Sequence, residues 1–182
     1  MKRVSVIGIS ASGKSTIAKR LAHLLHCPHY ELDAMYFLPG WESRDKDEFV
    51  AMVEEISAGE RWVIDGSYVE WTVKGPIWKR ADTVVWLRLS RAATMRQLLG
   101  RSLRRVVTRQ ELWNGNRERL QTLLDPKKSI ITDVWSRYRK YNRDFERHCR
   151  DPRFSHINFV VLRSRKEISR WLDTVATDAR AR

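Results

Sequence analysis

Cysteine is nearly missing from this chain: its 182 residues include two, Cys27 and Cys149. Two isolated cysteines supply neither a disulfide framework nor a zinc site, so both read as reduced, partly buried thiols. Long apolar runs are missing as well. None approaches the roughly 20 residues that cross a bilayer. Met1-Lys2-Arg3-Val4 leads straight into a strand pattern and leaves no room for a signal peptide. The expectation is a cytoplasmic protein with no membrane contact. Glycine (8 residues) and proline (5) are sparse, and there is no repeat, low-complexity tract or linker. With 42% hydrophobic residues, one domain over 1–182 is expected. Acidic residues are the last shortage: 22 stand against 35 Lys and Arg, a formal charge of +13. A field of that sign attracts phosphates, nucleotides, nucleic acids or anionic surfaces without choosing among them.

What is present is organised around Gly8-Ile9-Ser10-Ala11-Ser12-Gly13-Lys14-Ser15-Thr16. The run fits the phosphate-binding loop G-x-x-x-x-G-K followed by Ser or Thr. It also lies where that loop works, after the apolar Val4-Ser5-Val6-Ile7 and before the helical pattern Ile17, Leu21, Leu24, Leu25. Its backbone amides, from Gly8 through Thr16, form an anion nest at a helix N-terminus. Lys14 is expected to reach the β- and γ-phosphates, and the Ser15 hydroxyl to ligate Mg²⁺.

The helix after the loop is expected to end near His26, with Pro28 preventing its continuation. Further strands are expected at His29–Asp33, Arg61–Asp65, Thr83–Leu87 and Ile157–Leu162. Five short apolar strands alternating with helices predict an α/β fold with a parallel sheet and right-handed crossovers. In such sheets the carboxyl ends of strands face the ligand crevice, so Asp33 and Asp65 are both expected on the side of the phosphate loop. Gly66, after Asp65, permits close approach by a ligand or another backbone. Arg44 either holds an anionic substrate or is a solvated surface arginine.

No acidic residue occurs from Arg88 to Gln110, whereas Arg101, Arg104, Arg105 and Arg109 fall on one face of a predicted helix. Such like charges repel unless an anion neutralises them, so an anion is expected there. Glu111 to Glu118, with Asn114-Gly115 inside it, reads as a turn between helices. A long helix over about Ser129–Cys149 carries Ile131, Val134, Trp135, Tyr138, Tyr141 and Phe145 as a core stripe. A last helix carries Ile168, Trp171, Leu172 and Val175 inward, and its end is expected to fray from Ala176.

Several stretches together resemble a known group. They are the Gly8–Thr16 run, Glu31-Leu32-Asp33, Pro39-Gly40-Trp41, Trp62-Val63-Ile64-Asp65-Gly66 and, most specifically, Leu112-Trp113-Asn114-Gly115-Asn116-Arg117-Glu118. They look like the adenylate-kinase-related P-loop proteins known as DNA topology modulation proteins. The wider group implies a P-loop NTPase fold: a five-stranded parallel sheet in the order 2-3-1-4-5, helices on both faces, and an arginine-rich helical lid over about 95–128. It also implies ATP and Mg²⁺ as cofactors and a small-molecule acceptor, hence a nucleoside- or nucleotide-kinase-like phosphotransferase.

Carried over by position, the resemblance makes Lys14, Asp33, Arg104 and Arg105 the catalytic candidates. Arg101, Arg109, Ser164 and Arg165 join the loop in holding the nucleotide. Asp33, Arg44, Asp65, Gly66 and Tyr68 lie on the acceptor side. Asp65 is the second candidate base, or else holds a metal-bound water beside Ser15. Two departures from adenylate kinases stand out: Ser67-Tyr68 replaces a Phe-Pro-Arg run that would hold a nucleoside monophosphate, and Arg88 replaces an acidic residue. A nucleic-acid-associated protein that binds ATP, affecting DNA topology, remains the rival reading, with non-specific nucleic-acid binding drawn from the +13 charge. A kinase for RNA hydroxyls is a third.

Overall fold

A computed structural model describes residues 1–68, 75–118 and 129–180. Its centre is strand β1 (Arg3–Gly8), whose side chains alternate between two hydrophobic clusters. Val4 and Val6 enter one cluster and Ile7 the other, which is the period of two that a pleated strand imposes. Strands β3 (Trp62–Asp65) and β4 (Thr83–Leu87) flank it, both buried on both faces. Strands β2 (His29–Glu31) and β5 (Asn158–Leu162) form the edges, giving five parallel strands in the order 2-3-1-4-5. This is the architecture expected from the sequence.

Helix α1 (Lys14–Leu25) and helix α7 (Arg165–Arg180) cover one face, burying Ala18, Leu21, Ile168 and Leu172 against Val4, Val63 and Val85. Helices α3 (Lys46–Ser57) and α6 (Ile130–Cys149), with the single turn α4 (Trp78–Arg80), cover the other. Phe49, Val53, Trp78 and Phe145 meet Ile64, Val84 and Trp86 there. Helix α5 (Arg91–Val107) lies against α6 and reaches the phosphate loop, where Leu98 packs with Ile9, Ala11 and Val134.

Short side chains set the helix starts. Asp45 accepts from the Asp47 and Glu48 amides at 2.9 and 3.1 Å, and Ser90 from the Ala93 amide at 3.2 Å. Helix α1 stops at His26, whose φ of 48° is left-handed, just before Pro28.

Four expectations change. Strand β2 ends at Glu31, and the chain turns into the short helix α2 (Leu32–Tyr36), so Asp33 lies in a first helical turn rather than at a strand end. The cause is Leu32, which is fully buried against Gly66: a Cβ on Gly66 would come within 2.6 Å of the Leu32 Cβ. The close approach expected at Gly66 is thus made by the chain itself. Trp135 leaves the α6 stripe, 55% exposed beneath the Arg91 guanidinium. Helix α7 continues through the expected fraying point to Arg180. Of the lid expected over about 95–128, residues 119–128 lie outside the described residues.

Candidate functional site

The site is built on the turn from β1 into α1. Gly8 has φ 154°, and a Cβ there would come within 2.6 Å of the Ser12 Oγ and 2.9 Å of the Leu87 carbonyl, so the loop leaves β1 along a path closed to other residues. Two hydroxyls anchor that start: Ser67 Oγ and Tyr141 OH donate to the Gly8 carbonyl at 3.0 and 3.1 Å. Burial pushes the Tyr141 phenol's pKa well up, so it stays a donor. Ala11 takes φ 62° and Gly13 φ 95°, bending the loop around the head of α1.

Lys14 opens α1, and its Nζ donates to the Ile9 carbonyl at 3.4 Å. Burial lowers its pKa, while the Asp33 and Asp65 carboxylates oppose the shift. Ser15 Oγ donates to Glu31 Oε1 at 2.8 Å, and Glu31 also faces Lys19 Nζ at 3.8 Å. A hydroxyl and a carboxylate oxygen side by side are the hard donors that Mg²⁺ takes. Asp65, expected with Ser15 at the metal or else as second base, is 2% exposed, and its Oδ1 lies 3.1 Å from His29 Nε2. Glu31 was not singled out in the sequence, because β2 was read as running on to Asp33. The boundary shows only in the structure, where Glu31 pairs in register with Asp65 and the chain then turns into α2.

Asp33 lines the same cavity as Lys14. Tyr68 OH donates to its Oδ1 at 2.8 Å, and burial followed by the Asp33 charge drives the phenol pKa far up. The hydroxyl therefore holds the carboxylate in one orientation. Arg44 is turned elsewhere, donating to the Met35 carbonyl at 2.8 Å and pairing with Glu48.

The arginines of α5 divide. Arg105 Nη1 is 2.6 Å from Glu118 Oε1 and Arg101 Nη2 is 4.0 Å from it, so part of the expected anion is the chain's own carboxylate. Burial and then the Arg105 charge lower the pKa of Arg101. Arg104 lines the cavity, whereas Arg109 lies past the helix end with φ 49°. Of Ser164 and Arg165, both expected to help hold the nucleotide, Arg165 lines the cavity. Ser164 is occupied as the cap of α7, accepting from the Glu167 amide at 3.1 Å.

The turn between α5 and α6 is a docking element. Phe37 bridges Ser43, and Glu111 bridges Arg117. Each turn closes with an amide-to-carbonyl bond at the same offsets, Leu38 to Glu42 at 2.8 Å and Leu112 to Asn116 at 2.7 Å. Each has two left-handed residues at its tip, Gly40-Trp41 and Asn114-Gly115. The two turns face each other. Asn116 accepts from the Trp41 amide and donates to the Leu38 carbonyl, both at 2.8 Å. Asn114 donates to the Ala34 and Phe37 carbonyls.

The Gly8–Thr16 loop, Asp33 and the turn from Glu111 to Arg117 line one cavity of about 2110 Å³. That exceeds the roughly 300–1,000 Å³ of a single small-ligand site, leaving room for a nucleotide and a second substrate. Among the described residues no group of three or more metal-ligating side chains is found, and no helix is long and apolar enough to cross a membrane.

No family model matches the chain, and no curated protein matches it by sequence. Solved structures do resemble it in fold. Shikimate kinase from Acinetobacter baumannii in complex with shikimate is similar over 100% of this chain and 94% of its own, with a TM-score of 0.57 at 11% identity. A gluconokinase from Sinorhizobium meliloti 1021 is similar over 99% and 92%, with a TM-score of 0.52 at 16% identity. A sugar kinase from Janibacter sp. HTCC2649 is similar over 98% of both chains, with a TM-score of 0.54 at 17% identity. The chain has the P-loop kinase fold.

Proposed function

We propose that the chain is an ATP- and Mg²⁺-dependent kinase that moves the γ-phosphoryl group of ATP to a hydroxyl of a small molecule. The observation that carries this reading is the convergence of Lys14, the Ser15–Glu31 pair and the Tyr68-held Asp33 on one cavity. Phosphoryl transfer asks mainly for positioning and for positive charge around the moving group. The loop amides and Lys14 hold the donor phosphates. Ser15 and Glu31, in place of Asp65, hold Mg²⁺, which neutralises phosphate charge when bound. Asp33 accepts the proton of the acceptor hydroxyl as its oxygen forms the new bond to the γ-phosphorus. The bond from that phosphorus to the bridging oxygen breaks, and ADP leaves. Arg104, with Arg105 and Arg101 on the same helix, spreads charge over the transferring group.

Three kinases in the same fold support this, one crystallised with shikimate. The Leu112–Glu118 run adds the likeness to DNA topology modulation proteins, and in this reading it serves as the lid's contact with the acceptor side rather than as a nucleic-acid reader. The test is calorimetry of ATP binding. Lys14→Ala is expected to remain folded and to weaken ATP binding about a hundredfold, on the scale of a charged hydrogen-bonding group lost from a phosphate site. Wild-type affinity in the folded variant would reject the assignment.

A further inference from the structure

Gly100 lies in the interior of α5, where glycine is the poorest helix former after proline. Its backbone is helical, and a Cβ built on it would meet no atom of the described residues within 4 Å. Packing among the described residues therefore gives no reason for a glycine here. The cavity does. Helix α5 turns Arg96, Gln97, Gly100, Arg101, Arg104 and Arg105 to it. Positions four apart lie one above the other on a helix, so these residues form two adjacent columns, 96-100-104 and 97-101-105. The second column meets a carboxylate, since Arg101 and Arg105 face Glu118. The first does not: neither Arg96 nor Arg104 has an ion-pair partner among the described residues. Their Cα atoms stand about 12 Å apart along the axis, with the bare backbone of Gly100 half-way between them.

The same turn of the helix is fastened to the phosphate loop. Leu98 is fully buried and packs with Ile9 and Ala11, so the backbone at Gly100 stands beside the loop whose amides and Lys14 hold the donor phosphates. Arg101 gives an independent sign of a missing acceptor: its Nε is buried with no hydrogen-bond partner among the described residues. Guanidinium groups take phosphate oxygens in bidentate pairs. Two arginines without carboxylate partners, one on each side of an open strip of helix backbone, suit an extended chain of phosphates lying along that strip.

Resting on the kinase reading above, we infer that Gly100 is a nucleotide-binding position: the polyphosphate of ATP lies against the bare backbone of α5, and Arg96 and Arg104 hold it from either side. Gly100 sets how near the phosphates come to the helix, because any side chain there would occupy the space between them. Arg96 joins Lys14 and Arg104 among the cations that hold the donor.

The experiment is calorimetry of ATP binding with Mg²⁺, and of its competition by inorganic tripolyphosphate, on wild type, Gly100→Ala, Arg96→Ala and Leu99→Ala, beside a thermal melt of each free protein. In Gly100→Ala the expected effects have opposite signs. Alanine strengthens the helix, so the thermal midpoint is expected to rise by about 2–4 °C. The added methyl meets the phosphates, so the Kd of ATP is expected to rise about tenfold or more, the scale of one methyl forced into a close contact. Tripolyphosphate should lose affinity in the same proportion. Arg96→Ala is expected to weaken both ligands by about tenfold or more, the scale of a lost hydrogen bond from a charged group. Leu99→Ala, on the side of α5 away from the cavity and 51% exposed, should leave both unchanged. Unchanged ATP affinity in Gly100→Ala, whatever happens to kcat, would overturn the inference and leave Gly100 as a bending point of the helix. A loss for ATP that tripolyphosphate does not share would also overturn it, by placing base or ribose there instead of phosphates. A wild-type protein that binds no ATP would overturn the kinase reading beneath it.

Discussion

At the scale of the residue, Lys14 and Asp33 carry opposite burdens. Burial disfavours the Lys14 ammonium, so its pKa in the folded chain lies below the ordinary 10.5, with Asp33 and Asp65 limiting the fall. The sign for stability follows. Folding releases a proton in the window between the lowered value and 10.5, so the ligand-free chain gains stability from this group as pH rises through that window. Phosphates reverse the balance, because they favour the charged form. ATP binding in that same window is therefore expected to take up protons, read as a calorimetric enthalpy that changes with the ionisation enthalpy of the buffer. Proton release, or no buffer dependence, would contradict the role of Lys14. Tyr68 fixes the orientation of the Asp33 carboxylate by donating to its Oδ1. Asp33→Asn is expected to lower kcat by about a hundredfold or more with ATP binding retained, the scale for losing a general base. Tyr68→Phe should fall between that variant and wild type, and Asp65→Asn should be milder than Asp33→Asn. A larger effect at Asp65 would move the base there.

At the scale of the element, the two facing turns fix how the segment after α5 meets the segment after α2. Asn116 satisfies one donor and one acceptor of the opposite turn, at Trp41 and Leu38. Asn116→Ala leaves both unpartnered, at a cost of about 1–3 kcal/mol for each group that stays buried. The expected outcome is a lid turn cleaved faster by protease and a raised acceptor KM, with the thermal transition little changed because neither turn joins the core. A lowered transition with unchanged cleavage would mean the pair is structural only.

The same turns mark the limit of what the sequence disclosed. The sheet was legible because each buried strand is a short apolar run, such as Thr83–Leu87, and the loop because its spacing is dictated by phosphate geometry. The Asn114–Asn116 contacts were not legible: they join residues nearly eighty positions apart, and Asn-Gly by itself signals only a turn. The end of β2 was misplaced for a similar reason, since Leu32 turns inward to fill the space over Gly66, a tertiary packing effect. The arginines of α5 were read as waiting for a ligand anion, but the carboxylate of Glu118 comes to them from a turn the helix pattern does not reveal.

At the scale of the whole molecule, the charge of +13 raises the question of nucleic acid again. Much of it sits on exposed helix faces, for example Arg139, Lys140, Arg143 and Arg147 of α6. Such a field binds phosphodiester backbones weakly and without sequence preference. DNA affinity is expected to fall on the order of a thousandfold between about 50 and 200 mM salt, and Arg104→Ala should leave it nearly unchanged while lowering kcat. Tight binding that survives salt, with turnover intact in that variant, would favour a nucleic-acid role instead.

The central claim concerns where the γ-phosphoryl group goes. The direct measurement follows labelled γ-phosphate from ATP with Mg²⁺ and a panel of neutral and anionic small-molecule alcohols, and determines how much label reaches an alcohol, water or nothing. The expected result is label on the alcohol hydroxyl with wild-type protein, greatly reduced with Asp33→Asn and absent with Lys14→Ala. Label released only as inorganic phosphate, or left on ATP by a protein that binds it, would contradict the kinase reading.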